Sequence, residues 1–139
     1  MKKILVPVDG SECSLRAVNH ILRLLNPAEL EIHLLNVQPA LPADVGRFIS
    51  GDQLKSYHHD QGIEELKAAR ALLDKAGAKY QFHISVGDPA ETICHVAKDQ
   101  GVEQIVMGTH GRGGVMGMLL GSVASKTLAQ SPVPVLVVK

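Results

Sequence analysis

Ile4-Leu5-Val6-Pro7-Val8-Asp9-Gly10-Ser11 is an apolar run closed by an acid, a glycine and a hydroxyl, and it follows Met1-Lys2-Lys3. Lysines ahead of an apolar segment superficially resemble a secretory leader. The five residues before Asp9 are too few for a leader's core or for a membrane span. They fit a buried first strand, with Asp9-Gly10-Ser11 as the turn and Ser11 placed to cap a following helix.

Working outward, strand and helix patterns alternate to the end of the chain, the mark of a parallel sheet with helical crossovers. Ser14, Ala17, Val18, Ile21, Leu22 and Leu25 recur at helical spacing before Asn26-Pro27 stops the helix. Residues 30–37 read as a second strand and residues 38–51, with Pro39 and Pro42, as a long loop or lid. A second helix over about 53–76 carries an intermittent apolar face (Leu54, Tyr57, Leu66, Ala69, Leu73, Ala76) and exits at Gly77. In the third strand, 79–86, Tyr80, Phe82, Ile84 and Val86 alternate with Lys79, Gln81, His83 and Ser85, which places it at or near a sheet edge. Asp88-Pro89-Ala90-Glu91 is a helix start: a cap, a proline at the first helical position and an acid at the third. That helix ends near Gly101. A short fourth strand follows at 104–107, a fourth helix at about 121–130 and a last strand at 134–138.

The chain has 139 residues, one domain's worth, with 45% hydrophobic residues but only 3% aromatic. Its core must therefore come from Val, Ile, Leu and Ala, which suits a sheet covered on both faces. The reading is a single α/β domain over 1–139. Its five parallel strands form a doubly wound sheet with two helices on each face, and the commonest order for such a unit is 3-2-1-4-5. In that order the loops after strands one and four diverge to opposite faces and leave a crevice at their carboxyl ends.

Formal net charge is +0, and no cluster of basic residues marks a nucleic-acid face. Cys13 and Cys94 form neither a CxxC pair nor a metal spacing, so reduced thiols and a cytoplasmic setting are expected, with no membrane insertion. Cys13 has the stronger functional case, because it lies near a helix start. His58-His59-Asp60 tempts a metal reading, but adjacent histidines diverge on a helix and a solvated face is the simpler expectation. His20, His33, His83 and His95 lack ligand spacing.

The chemistry concentrates after strand four. Between Gly108 and Ser122, six of fifteen residues are glycine, and Gly121-Ser122 then opens a helix. Glycines let backbone amides approach an anion, and a helix start offers unpaired N–H groups and a favourable dipole. Arg112 adds charge and His110 a donor. The sequence does not match the P-loop or the dinucleotide fingerprint. Met116, Met118, Leu119 and Leu120 are unusual for a loop, and either plug the core or cover a ligand.

The spacing Gly108-x2-Gly111-x9-Gly121-Ser122 resembles the nucleotide-binding motif of the universal stress protein family. The resemblance extends to Ile4–Ser11, to Gly87-Asp88-Pro89-Ala90-Glu91-Thr92-Ile93 and to Ser131–Val138, so it covers essentially the whole chain. It implies ATP as the ligand, with Mg²⁺ riding on the phosphates. Pro7, Val8 and Asp9 would approach the adenosine end, with Asp9 accepting from a ribose hydroxyl or the adenine amine. Val37 would meet adenine through its backbone. Met107, at the end of strand four, would be among the cofactor-binding residues, and Gly108, His110, Gly111, Arg112, Gly121, Ser122 and Val123 would surround the phosphates. It also implies a homodimer through Val133 to Val138, whose apolar edge carries no charge before Lys139.

The function expected is a nucleotide-dependent regulator in stress response, acting on a partner the sequence does not name. The rivals are a slow ATPase or phosphoryl-transfer enzyme, for which no dedicated carboxylate base is evident, and a dimeric adaptor that needs no nucleotide.

Overall fold

A computed structural model describes residues 2–111, 117 and 119–139. The elements run β1 (Lys2–Pro7), α1 (Glu12–Leu24), a 3-10 turn (Pro27–Glu29), β2 (Leu30–Gln38), α2 (Ala43–Gly46), α3 (Gly51–Lys75), β3 (Tyr80–Val86), α4 (Pro89–Asp99), β4 (Gln104–Gly108), α5 (Ser122–Gln130) and β5 (Val135–Val138).

The sheet has the order β3-β2-β1-β4-β5, and every adjacent pair is parallel. The alternation of side chains along each strand feeds two cores. On one face Ile4 and Val6 of β1 and Ile32 and Leu34 of β2 pack under Ala17, Val18 and Ile21 of α1 and Leu66, Ala69 and Leu73 of α3. On the other, Leu5, Leu35, Ile105 and Met107 pack under Ile93 and Ala97 of α4 and Ala124 of α5. Two main helices cover each face. Leu5, Leu34, Leu35 and Ile105 are fully buried, and each such side chain is worth about 1.5–3 kcal/mol over leaving it in water.

The local signals are realised. Ser11 accepts from the Ser14 amide at 3.3 Å, and Asp88 from the Glu91 amide at 3.1 Å. Gly77 leaves α3 with φ +68°, a conformation that costs other residues. The α3 helix begins two residues earlier than its apolar pattern, because Ser50 and Gln53 close a reciprocal capping box. The loop over 38–51 holds one short helix, α2, which buries none of its residues.

Several side chains depart from the expected faces. Leu25, past the end of α1, and Tyr57 of α3 are exposed. His58 is the largest departure: it is only 5% exposed, not on a solvated face. Gly62, one turn on, explains it. A Cβ there would sit 2.7 Å from Ile84 Cδ1, so glycine lets α3 press against β3 and carries His58 inward. His33 is likewise buried and stacks on His83, with ring centroids 5.3 Å apart. Leu119 is exposed, while Leu120 packs against the α4–α5 core. Met116 and Met118 lie outside the described residues.

Candidate functional site

β1 and β4 are neighbours at the point where the winding reverses, and their following loops part. The first lip is built by local hydrogen bonds. Val8 still donates to the Leu35 carbonyl at 2.8 Å. Asp9 Oδ1 then accepts from the Ser11 amide at 2.9 Å, and Gly10 takes φ +84° to complete the turn into α1.

The second lip depends on close approach. At Gly108 a Cβ would lie 2.7 Å from the Cys13 carbonyl oxygen, so the end of β4 lies directly against the first turn of α1. Gly111 faces Asp9 across the gap, its virtual Cβ 2.5 Å from Oδ2. The Gly121 amide donates to the Thr109 carbonyl at 2.7 Å, which draws the two ends of the intervening loop together and fixes the start of α5.

That start has no side-chain cap and no acid in its first turn. The amides of Ser122, Val123 and Ala124 consequently have no partner within the helix, and the positive end of the helix dipole is uncompensated. All three residues line a cavity of about 570 Å³ between the lips. Its inner wall is apolar, from Leu35, Val37, Ile93 and Met107, and Asp9 and Glu65 supply the acids. Leu35 turns its carbonyl toward β1, and strand periodicity turns the backbone of Val37 the same way, past the end of β1. His110 lines the cavity with Nδ1 3.1 Å from Thr109 Oγ1, and its buried Nε2 has no partner among the described residues. An apolar slot beside a cluster of unpaired amides suits a flat apolar ring joined to an anion.

Pro7, Val8, Asp9, Val37, Met107, Gly108, His110, Gly111, Gly121, Ser122 and Val123 all line this cavity. Arg112 lies outside the described residues. Ser14, Leu35, Pro39, Glu65, Pro89, Ile93, Thr109 and Ala124, which the sequence does not mark as site residues, line it as well. Glu65 enters through a polar network at the end of β2. Gln38 Nε2 donates to Glu65 Oε2 at 2.9 Å and to Asn36 Oδ1 at 2.7 Å, and Asn36 Nδ2 donates to the Val8 carbonyl at 2.9 Å. Two polar residues, Asn36 and Gln38, on the strand face otherwise formed by Leu30, Ile32 and Leu34 are the legible signal for this network.

The model of the universal stress protein family matches residues 1–139. The chain belongs to the universal stress protein family. Among curated members, universal stress protein MJ0531 of Methanocaldococcus jannaschii is 35% identical, over 99% of this chain and 82% of its own length. The solved structure of MJ0577, from the same organism, superposes with a TM-score of 0.85 at 34% identity, covering 99% of this chain and 95% of that one. A further universal stress protein, solved in complex with cAMP, matches with a TM-score of 0.72 and 25% identity over 99% of this chain and 97% of its own. The doubly wound fold is the one these family members share. No helix among the described residues is long and apolar enough to cross a membrane.

Proposed function

We propose that this universal stress protein binds ATP in the crevice between β1 and β4, and that the bound state governs its action on a protein partner in the cytoplasmic stress response. The observation that carries the reading is the uncapped first turn of α5 opening onto the same cavity as Asp9 and Val37. The cAMP-bound relative supports an adenine nucleotide as the class of ligand.

In this reading adenine lies against Val37 and Met107 and meets the Val37 backbone, while Asp9 accepts a hydrogen bond from the adenosine end. The amides of Ser122, Val123 and Ala124 take the phosphates with help from His110 Nε2, Gly111 and Arg112. Among the described residues no group of three or more His, Cys, Asp or Glu could hold a metal. Mg²⁺ would be held chiefly by phosphate oxygens and water, where it would neutralise polyphosphate charge. ATP bound between the two lips then alters the surface offered to the partner.

The dimer belongs to the same proposal. β5 is an edge strand whose only sheet neighbour among the described residues is β4, and Leu136 on it is 36% exposed. Pairing with β5 of a second copy would cover it. Light scattering at micromolar concentration should give twice the chain mass, and a monomer mass would remove this part of the proposal. For the ligand, mass spectrometry of gently purified protein should find a co-purified adenine nucleotide that is absent from a Gly121→Val preparation. Equal amounts in both would contradict the assignment.

A further inference from the structure

Glu65 reaches the crevice from α3, and two side-chain amides at the end of β2 fix its carboxylate. Its Oε1 accepts from Asn36 Nδ2 at 3.3 Å and its Oε2 from Gln38 Nε2 at 2.9 Å. The same amides have one further bond each: Asn36 Nδ2 donates to the Val8 carbonyl at 2.9 Å, and Gln38 Nε2 to Asn36 Oδ1 at 2.7 Å. An amide nitrogen carries two N–H groups, so both are fully used and neither amide can turn over without losing bonds. The carboxylate is therefore gripped at each oxygen while Glu65 lines the crevice.

What grips it is neutral. Glu65 is half-buried and forms no ion pair among the described residues. Each of its oxygens accepts one of these bonds, and an ionised carboxylate has room for about four. Its two holders flank Val37 in the sequence, and the Val37 backbone opens into the crevice past the end of β1. This end of the crevice is thus rich in acceptors: Glu65, the Val37 carbonyl and, on the first lip, Asp9. A ligand that displaces water there must bring donors.

We propose that Glu65 is a specificity-determining residue for the base, accepting a hydrogen bond from the exocyclic amine of a 6-aminopurine and rejecting 6-oxopurines. The inference rests on the nucleotide reading above and goes beyond it by assigning the choice of base to one side chain. An exocyclic amine presents two N–H groups from one atom, one for the Val37 carbonyl and one for Glu65. A 6-oxopurine puts an oxygen there instead, against a carbonyl and a negative charge that cannot turn away. Acceptors left unpaired in this way penalise the wrong ligand strongly. Gln38 and Asn36 act through Glu65 as positioning residues.

The test is calorimetric titration of the full chain with ATP and with inosine triphosphate, which carries an oxygen where ATP carries the amine, both with Mg²⁺. The native chain should bind ATP at least about tenfold more tightly than inosine triphosphate. Glu65→Gln keeps the side chain's shape but turns one acceptor into a donor, so it should abolish that preference, through weaker ATP binding with inosine triphosphate held or strengthened. Glu65→Ala should abolish it as well, and urea melts of the two variants separate binding from folding. Equal affinity of the native chain for the two nucleotides would overturn the proposal and leave ATP binding standing. So would variants that weaken both nucleotides by the same factor, the behaviour of a merely structural residue. A native chain that binds neither would remove the nucleotide reading itself, and this proposal with it.

Discussion

Gly111 and Asp9 face each other across the crevice so closely that a Cβ on the glycine would stand 2.5 Å from the Asp9 carboxylate. Asp9 Oδ1 is at the same time held by the Ser11 amide at the start of α1. The glycine therefore sets where one carboxylate oxygen can lie, and through it the shape of the crevice at its first lip.

Gly111→Ala should accordingly weaken ATP binding by at least about tenfold, by displacing Asp9 into the crevice, while leaving stability within about 0.5 kcal/mol, since Gly111 is on an exposed loop. Calorimetric titration and urea melts check the two halves. Loss of stability in step with loss of binding would show that the glycine is needed for the fold instead.

Gly62→Ala tests the packing that brings α3 onto β3. Three Ile84 atoms lie 2.7, 2.8 and 2.9 Å from the added carbon, so the helix or the side chain must move, at about 1–3 kcal/mol. Ile84→Val should recover part of that loss in the double variant. Additive effects in urea denaturation would rule out direct contact as the cause.

Asn36 sits at 0% exposure, donating to the Val8 carbonyl and receiving from Gln38. Asn36→Leu should cost about 1–3 kcal/mol by leaving those groups unpaired beside the first lip. It should also weaken nucleotide binding, because Val8 and Glu65 both line the cavity. Unchanged binding would mean that the network acts on stability alone.

A pH dependence follows from His33 and His83. His33 Nδ1 and His83 Nε2 are 3.0 Å apart, a contact that needs one donor and one acceptor and so excludes two imidazolium ions. Burial, and then His33, hold His83 below the ordinary histidine value. The folded chain therefore binds fewer protons at His83 than the unfolded chain does. Its contribution is undisturbed above about pH 6.5 and turns against folding as the pH drops from there. Glu31 is held below the usual carboxylate value chiefly by its hydrogen bond to His33. That stabilisation is present above about pH 4.3 and is lost as acid titrates the folded carboxylate. The melting temperature should fall as the pH is lowered from 7, and His83→Gln should flatten the part between pH 7 and 5. An unaltered slope in that variant would remove His83 as the cause.

How far the sequence could be read tracks how local each signal is. The turn at Asp9–Ser11, the Asp88 cap and the glycine exits announce themselves within four residues, and the strand order follows from general rules of winding. Edge character in β3 was visible from alternation alone. The inward turn of His58 was not, because it depends on Gly62 meeting Ile84, residues distant in sequence that touch only in the folded chain. Glu65 was missed for a similar reason: its hydrogen bonds come from Asn36 and Gln38 on a different element. The apolar face of α3 over-reached at Tyr57, where the first turns of the helix extend past the core it covers.

Titration calorimetry with ATP and Mg²⁺ on the native chain and on Gly121→Val bears most directly on the whole account. At Gly121 a Cβ would stand 3.2 Å from the Thr109 carbonyl oxygen and 3.4 Å from His110 Cα, so the larger side chain must disturb the entry to α5. The native chain should bind one ATP per chain, and the variant at least about tenfold more weakly. No heat from the native chain, or equal affinity in the two, would contradict ATP binding at the uncapped end of this helix.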